Sequence, residues 1–306
     1  GHDLPDTRAW RLEQLSDADP LITALLKWRK AERISTTYGY GWIDEHVRAG
    51  RLRGDWSSSD GAAGRMTASA GLHNLPSAMR SLVKAEDGHV FVRADLGQIE
   101  PRVLASVSGD PALISATQGD DLYEPIASRL GVTRDIAKVA VLGAMYGATT
   151  GEAAPALAGL NKNYPVAMGL LEEAAESGRK NQDVFTSGGR RVRMSSTTPG
   201  DGDLDRAVAA AAARGRYARN AIVQGAAAEF FKVWAITVRR RGRTLAAEIV
   251  LCLHDELLVH VPEEHAREVA TLVADAIGEA AHYWSPDPDV RFSADVSVVK
   301  HWSEAK

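Results

Sequence analysis

Cysteine is almost missing from this chain: Cys252 is the only one in 306 residues. A lone cysteine excludes an internal disulfide framework and any cysteine-rich zinc site. No uninterrupted apolar run reaches the roughly 18 residues of a membrane span, and the opening GHDLPDTRAW lacks the basic and apolar regions of a secretory signal. The expected location is the cytoplasm, with no membrane partner. Gly1-His2 resembles a tag remnant, so the natural chain is expected to begin further upstream. A basic excess is lacking too: 36 Lys and Arg face 40 Asp and Glu, for a net charge of −4. A role with nucleic acid must therefore rest on local clusters of charge.

What is present is ordinary for a globular protein: 45% hydrophobic and 25% charged residues. The length allows about two domains, or one large one. Such a chain buries about three quarters of its unfolded surface and needs no disulfide or metal to fold. Residues 20–37 carry apolar positions at helical spacing, and 53–64 form a Gly/Ser/Asp loop. VFVRAD (90–95) reads as a buried strand, followed by a helix from Ile99 to Val107. Two more helices are expected at 111–130 and 133–146, parted by Gly131. A hairpin over 183–194 turns at Gly188-Gly189, and 195–203 is a loop. An alanine-rich helix covers about 205–240. EIVLCLHDELLVHV (248–261) is a second hairpin with charges at its tip, followed by a helix over 262–281 and a strand over about 290–298. Helices interleaved with antiparallel hairpins predict an α+β fold.

Three constellations carry chemistry. Asp95 ends an apolar strand and Asp255 sits at a hairpin tip. Two such carboxylates can clamp two Mg²⁺ ions for phosphoryl transfer, or can simply face water. Arg134, Lys138, Leu142 and Tyr146 recur every four residues along one helix face. Two cations and then an aromatic suit a triphosphate with a base above it; the plainer alternative is a surface stripe ending in a core tyrosine. Arg216, Asn220 and Gln224 form another such stripe, suited to minor-groove acceptors or to an ordinary polar helix face. Arginines also cluster at 190, 191, 193, 206, 214, 216 and 219, a region whose only acids are Asp201, Asp203 and Asp205, and again at 239–241 and 243.

Together these pieces resemble the polymerase domain of family A DNA polymerases. RADLGQIEPRVLASVSGD (93–110) is similar to that family's motif A, TRDIAKVAVLGAMYG (133–147) to motif B, and LCLHDELLVHVP (251–262) to motif C. RYARNAIVQGAAAE (216–229), GRMTASAGLHNLP (64–76), FTSGGRRV (185–192) and VSVVKHWSEAK (296–306) resemble further family segments, all in the family's order. The resemblance implies a palm with an antiparallel sheet, helical fingers and a short thumb stub. It divides the chain into a thumb stub (1–40), palm (41–110), reduced fingers (111–195) and palm again (196–306). It implies DNA synthesis on a primer–template from deoxynucleoside triphosphates, by a cytoplasmic, nucleoid-associated monomer.

The resemblance also implies roles residue by residue. Asp95, Asp255 and the Leu96 carbonyl hold two Mg²⁺ ions, and Glu256 supports them. Arg134 and Lys138 bind the phosphates, with Lys138 also a proton donor to pyrophosphate. Leu142 and Tyr146 lie at the nucleotide, Gln98 near it, and Glu100 is the gate against a 2′-hydroxyl. Arg65, Asn74, Arg216, Asn220, Gln224 and His254 contact primer and template. The sequence departs from the family pattern at Leu142, which replaces an aromatic, and at Leu96, Gly97, Pro101 and Tyr123. The fingers between Gly147 and Phe185 are short, and the chain has no room for an exonuclease domain, so no proofreading is expected within it. Two rivals remain: a polymerase-like DNA-binding module with weak or lost synthesis, and a single-subunit RNA polymerase relative. Glu100 and the His254-Asp255-Glu256 triplet weigh against the second.

Overall fold

A computed structural model of the chain describes residues 4–59, 63–147, 154–194 and 204–304. The loop expected at 195–203 and part of the one at 53–64 lie outside these residues. The chain forms two compact units, Gly1–Trp56 with Ala68–Arg80, and Ser57–Thr67 with Ser81–Lys306.

The first unit holds helices α1 (Ala9–Glu13), α2 (Pro20–Tyr38) and α3 (Tyr40–His46), and a ribbon of strands β1 (Val47–Arg48) and β2 (Arg51–Leu52). Helix α2 starts where Pro20 takes the first helical position and the Asp19 side chain accepts the Leu21 N–H. At its other end the buried Tyr38 donates its hydroxyl to the Gly71 carbonyl at 3.2 Å. Gly71 has φ +64°, and a Cβ there would lie 2.9 Å from that hydroxyl, so the position requires glycine. Strands β3 (Trp56–Ser57) and β4 (Thr67–Ala68) mark where the chain passes between units.

The second unit is built on strand β5 (His89–Leu96) and continues through helices α4 (Ile99–Ser108), α5 (Pro111–Ala116), α6 (Tyr123–Leu130), α7 (Arg134–Tyr146), α8 (Ala154–Asn163) and α9 (Pro165–Arg179). A ribbon of β6 (Val184–Phe185) and β7 (Arg191–Val192) follows, then helix α10 (Leu204–Gly242), strands β8 (Glu248–Leu253) and β9 (Glu256–Pro262), helix α11 (Ala266–Trp284) and strand β10 (Ala294–Val299). The main sheet has the order β10-β5-β9-β8, and every pair is antiparallel. The α+β architecture is thus as expected from the sequence.

Strand alternation sorts the sheet into two faces. Val92, Ala94, Leu257, Val259 and Val261 are fully buried in the core shared with α10 and α11. Their neighbours His89, Phe91, Arg93 and Asp95 on β5, with Glu256, Leu258 and His260 on β9, line the opposite face. Helix α10 is long and apolar enough by length and composition to cross a bilayer, yet 72% of its apolar window is buried inside the protein. It is a core helix: Trp234 donates its indole N–H to the Val273 carbonyl of α11, and Phe230 stacks on Phe292 at 4.2 Å.

Two expectations need correction. Residues 111–130 form two helices, not one. The intervening turn gives its carbonyls at Thr117, Gly119 and Asp120 to the buried guanidinium of Arg102. That guanidinium also takes the Gly97 and Arg291 carbonyls, so its charge stays solvated by backbone dipoles. The helix expected over 262–281 begins with a 3₁₀ turn, Glu263–His265, and becomes α-helical only at Ala266.

Candidate active site

The hairpin β8–β9 turns through two residues, His254 and Asp255, with His254 in the left-handed region at φ +44°. Asp255 gives its carbonyl to the Leu96 N–H at 2.9 Å, which ties the tip to the end of β5 and brings Asp255 beside Asp95. Register does the rest: Asp295 on β10, Asp95 on β5 and Glu256 on β9 stand abreast across three strands. Four acids thus gather at one sheet end.

Their counter-charge is Arg93. Its guanidinium lies 3.0 Å from Asp95 Oδ2 and 2.9 Å from Glu256 Oε2, with Asp295 at 3.8 Å. Glu256 accepts a second bond, at 2.7 Å, from the buried Trp302 indole. It is held by these two groups. One arginine is too little for this cluster. Burial, then the charge of Asp255, pushes the Asp95 carboxyl up to about 6, although Arg93 opposes the shift. Burial also raises Asp255, against the opposing charges of His254 and Arg65. The arrangement is a set of hard oxygen donors whose mutual repulsion a divalent cation would relieve, and it fits Mg²⁺.

A cleft of about 190 Å³ opens beside Asp255, lined by Arg65, Glu100, Leu142, Phe231 and His254 among others. It is smaller than the roughly 300 Å³ at which small-molecule pockets begin. It can take one part of a larger ligand, with the remainder lying along the open face of α7. On that helix Ala137, Ala140, Val141, Ala144 and Met145 are buried, while Arg134, Lys138 and Tyr146 are exposed and Leu142 is half-buried against the core. The four-residue stripe is therefore an open face.

Four of the expected residues meet in one network. Glu100 accepts from Arg65 at 2.7 Å and from the Tyr146 hydroxyl at 3.3 Å, and Gln224 donates to the same hydroxyl at 3.3 Å. Burial raises the Glu100 carboxyl, with Arg65 opposing. Arg216 is exposed and packs its stem over Gly147, whose φ of +74° ends α7. Asn220 is half-buried one turn further along α10. Asn74 belongs to the first unit, on the 3₁₀ turn Leu72–Asn74.

Gln98 and Arg134 are engaged elsewhere. Gln98 donates to Asp121 at 2.7 Å and accepts the Leu122 N–H at 2.7 Å, and Arg134 pairs with Asp121 while lying 5.7 Å from the Tyr123 ring. Burial works against the charge on Asp121, but Arg134, the Tyr123 N–H and Gln98 together hold its carboxyl below the usual range. Sequence reasoning missed Arg93, Asp121, Asp295 and Trp302. A signal existed for Arg93, which lies two residues before Asp95 and so on the same strand face. Asp121, Asp295 and Trp302 reach their partners through the fold, with no such local cue.

The basic clusters are partly neutralised by acids that lie outside them in sequence. Arg191 pairs with Asp183, Arg219 with Glu172, and Arg240 and Arg241 with Glu279. Counting nearby acids along the chain therefore overstated the free positive charge.

With the geometry described, the relatives can be placed beside it. The family profile for DNA polymerase family A matches residues 2–304. DNA polymerase I of Chloroflexus aurantiacus is 32% identical over 324 residues, covering 96% of this chain and 33% of that protein. The thermostable DNA polymerase I of Thermus thermophilus is 31% identical over 334 residues, covering 98% and 38%. Among solved structures, the POL domain of Pol1 from M. smegmatis, in complex with DNA primer-template and dNTP, superposes with a TM-score of 0.81 at 26% identity, covering 98% of this chain and 56% of that one. The fold is that of a nucleic-acid polymerase domain. The chain belongs to DNA polymerase family A. It spans about a third of the length of the curated relatives it matches.

Proposed function

We propose that this chain carries out template-directed DNA synthesis, adding deoxynucleotides to a primer 3′-hydroxyl by two-metal phosphoryl transfer, without proofreading of its own. The observation that carries this reading is the juxtaposition of Asp95 with Asp255, both raised in pKa, with Asp255 lining a cleft that Glu100 and Leu142 also wall. Asp95, Asp255 and the Leu96 carbonyl would hold two Mg²⁺ ions, which supply the positive charge that attack and pyrophosphate departure require.

The remaining roles belong to the protein. Arg93 and Trp302 fix Glu256, and so fix the carboxylates abreast of it. Arg134 and Lys138 bind the triphosphate from the open face of α7, Arg134 exchanging Asp121 for phosphate. Lys138 gives a proton to the departing pyrophosphate. Tyr146 stacks near the nascent pair, and Glu100 fills the volume that a 2′-hydroxyl would need. Leu142 packs on the sugar and Gln98 lies beside it. Arg65, Asn74, Arg216, Asn220, Gln224 and His254 contact primer and template. In this reading 1–40 is a thumb stub, 41–110 and 196–306 are palm, and 111–195 are fingers. The protein works as a monomer, in the cytoplasm at the nucleoid.

Primer extension with Mg²⁺, comparing deoxy- and ribonucleotides, is the test. The expected result is deoxynucleotide addition, lost by at least ~10³-fold in Asp95→Ala and in Asp255→Ala. Near-normal extension by either variant overturns the metal-site assignment. Primer–template binding with no extension by the unmodified protein favours a DNA-binding module instead, a reading to which Leu142 and the engagement of Arg134 by Asp121 lend weight.

A further inference from the structure

At the end of the sheet remote from Asp95, the same face carries two histidines. His89 opens β5 and His260 lies on β9, and their rings stack 4.5 Å apart and within 5° of parallel. Glu86, on the turn leading into β5, completes a cluster whose ligand atoms all lie within 4.8 Å of one another. We propose that Glu86, His89 and His260 form a second, non-catalytic metal site that binds a zinc-class divalent ion and ties the Glu86–His89 turn to strand β9.

The donor set argues for that class of ion. Two imidazoles with one carboxylate suit zinc and its late first-row neighbours, whereas the oxygen-only donors at Asp95 and Asp255 suit magnesium. Six residues of strand at about 3.3 Å each separate His89 from Asp95, so the two sites stand roughly 20 Å apart. An ion at one does not share ligands with the other.

The surroundings prepare the ligands. His89 Nδ1 lies 3.3 Å from the Asp87 carbonyl. A proton there leaves the lone pair on Nε2, the arrangement in which metal-bound histidines are held by backbone carbonyls. On His260, Nε2 already accepts the Glu86 N–H at 3.3 Å, so an ion bound through that nitrogen would take the place of this bond. The turn is pinned independently of any metal. His89 N–H bonds the Glu86 carbonyl, Lys300 Nζ bonds the carbonyls of Glu86 and His89 at 3.1 and 2.6 Å, and Glu263 N–H bonds that of Gly88. Phe91 flanks His260 at 5.7 Å and gives the site one apolar wall. Ligand atoms on a tetrahedral zinc at ~2.0–2.1 Å stand roughly 3.3 Å apart. Binding therefore asks the ligand atoms, now within 4.8 Å of one another, to close to that spacing and the two parallel rings to turn toward a common ion.

The test uses the full chain in saturating Mg²⁺. Zn²⁺ is titrated against a chromophoric chelator, with Co²⁺ as a spectroscopic probe and thermal unfolding as a second readout. The expected result is one equivalent of Zn²⁺ whose affinity falls at least about tenfold in His89→Gln and in His260→Gln. The melting temperature should rise with Zn²⁺ in the parent protein and not in the variants. Primer extension at fixed Mg²⁺ should be the same in all three, which separates this site from the catalytic one. Should either histidine variant fail to fold, Glu86→Gln, on an exposed side chain, carries the same comparison. Zinc affinity and zinc-dependent stabilisation that are unchanged across the variants overturn the proposal.

Discussion

Asp95 is a carboxylate that the fold makes uncomfortable, and its discomfort has a pH signature. Its carboxyl is raised from the ordinary 3.8 to about 6 by burial and by Asp255. Between those values the folded chain binds more protons than the unfolded one, so this group's contribution to stability falls as pH rises from about 4 through about 6. In EDTA, Asp95→Asn should therefore melt higher than the parent above pH 6, with the difference vanishing near pH 4. Thermal scans across that range check it, and a pH-independent difference would mean that a raised Asp95 carboxyl is not what costs the parent stability. Glu100 is tested by volume. Glu100→Ala opens the cleft wall, and ribonucleotide use relative to deoxynucleotide use should rise; an unchanged ratio places the gate elsewhere. Leu142 lines that cleft while resting on the core. A phenylalanine there gains packing on the sugar, worth about 1 kcal/mol by analogy with aromatic contacts. Leu142→Phe should lower KM for deoxynucleotides several-fold with a smaller change in kcat, because the contact is made in ground and transition states alike. A raised KM, or a lower melting temperature from overpacking, means the side chain belongs to the core.

One buried side chain joins two helix starts here. Asp110, 1% exposed, accepts the N–H groups of Ala112 and Leu113 at 3.0 Å with one oxygen and those of Val166 and Ala167 at 3.1 Å with the other. One carboxylate thus caps α5 and α9 together. Asp110→Ala should lower the unfolding free energy by about 2–4 kcal/mol, two caps' worth, as read by urea denaturation. A loss below about 1 kcal/mol would mean that packing alone holds the two helix starts. This capping also marks the limit of what could be read beforehand. The strand at 89–96, the hairpin around His254-Asp255 and the four-residue stripe of α7 were legible because alternation and helical period are local. The break within 111–130 was not, because the side chain that organises the turn at 117–120 is Arg102, in α4. Arg93 went unread although it shares a strand face with Asp95, because its partners Glu256 and Asp295 arrive from strands far along the chain. The pairing of Asp121 with Arg134 likewise needed the tertiary structure.

At the scale of the whole molecule, the proposed function asks a chain of net charge −4 to bind a polyanion through selected arginines. Arg216 is exposed beside the Tyr146 end of α7, whereas Arg240 is already paired with Glu279. Arg216→Ala should weaken primer–template binding and flatten its salt dependence by about one phosphate contact, while Arg240→Ala should change both far less. Equal effects would mean that the ion pairs open on DNA. The same census of side chains has a practical corollary in Cys252. Its thiol is buried on β8 and, by that burial, raised to about 11. At neutral pH it holds almost no thiolate, the form that reacts with maleimides and iodoacetamides. The protein should therefore behave toward these reagents as though it had no cysteine. A single cysteine introduced on the exposed surface should take up one fluorophore per chain by mass spectrometry, with the native thiol left unmodified. The distance between that position and a labelled primer then becomes measurable by energy transfer without first removing a residue from the sheet.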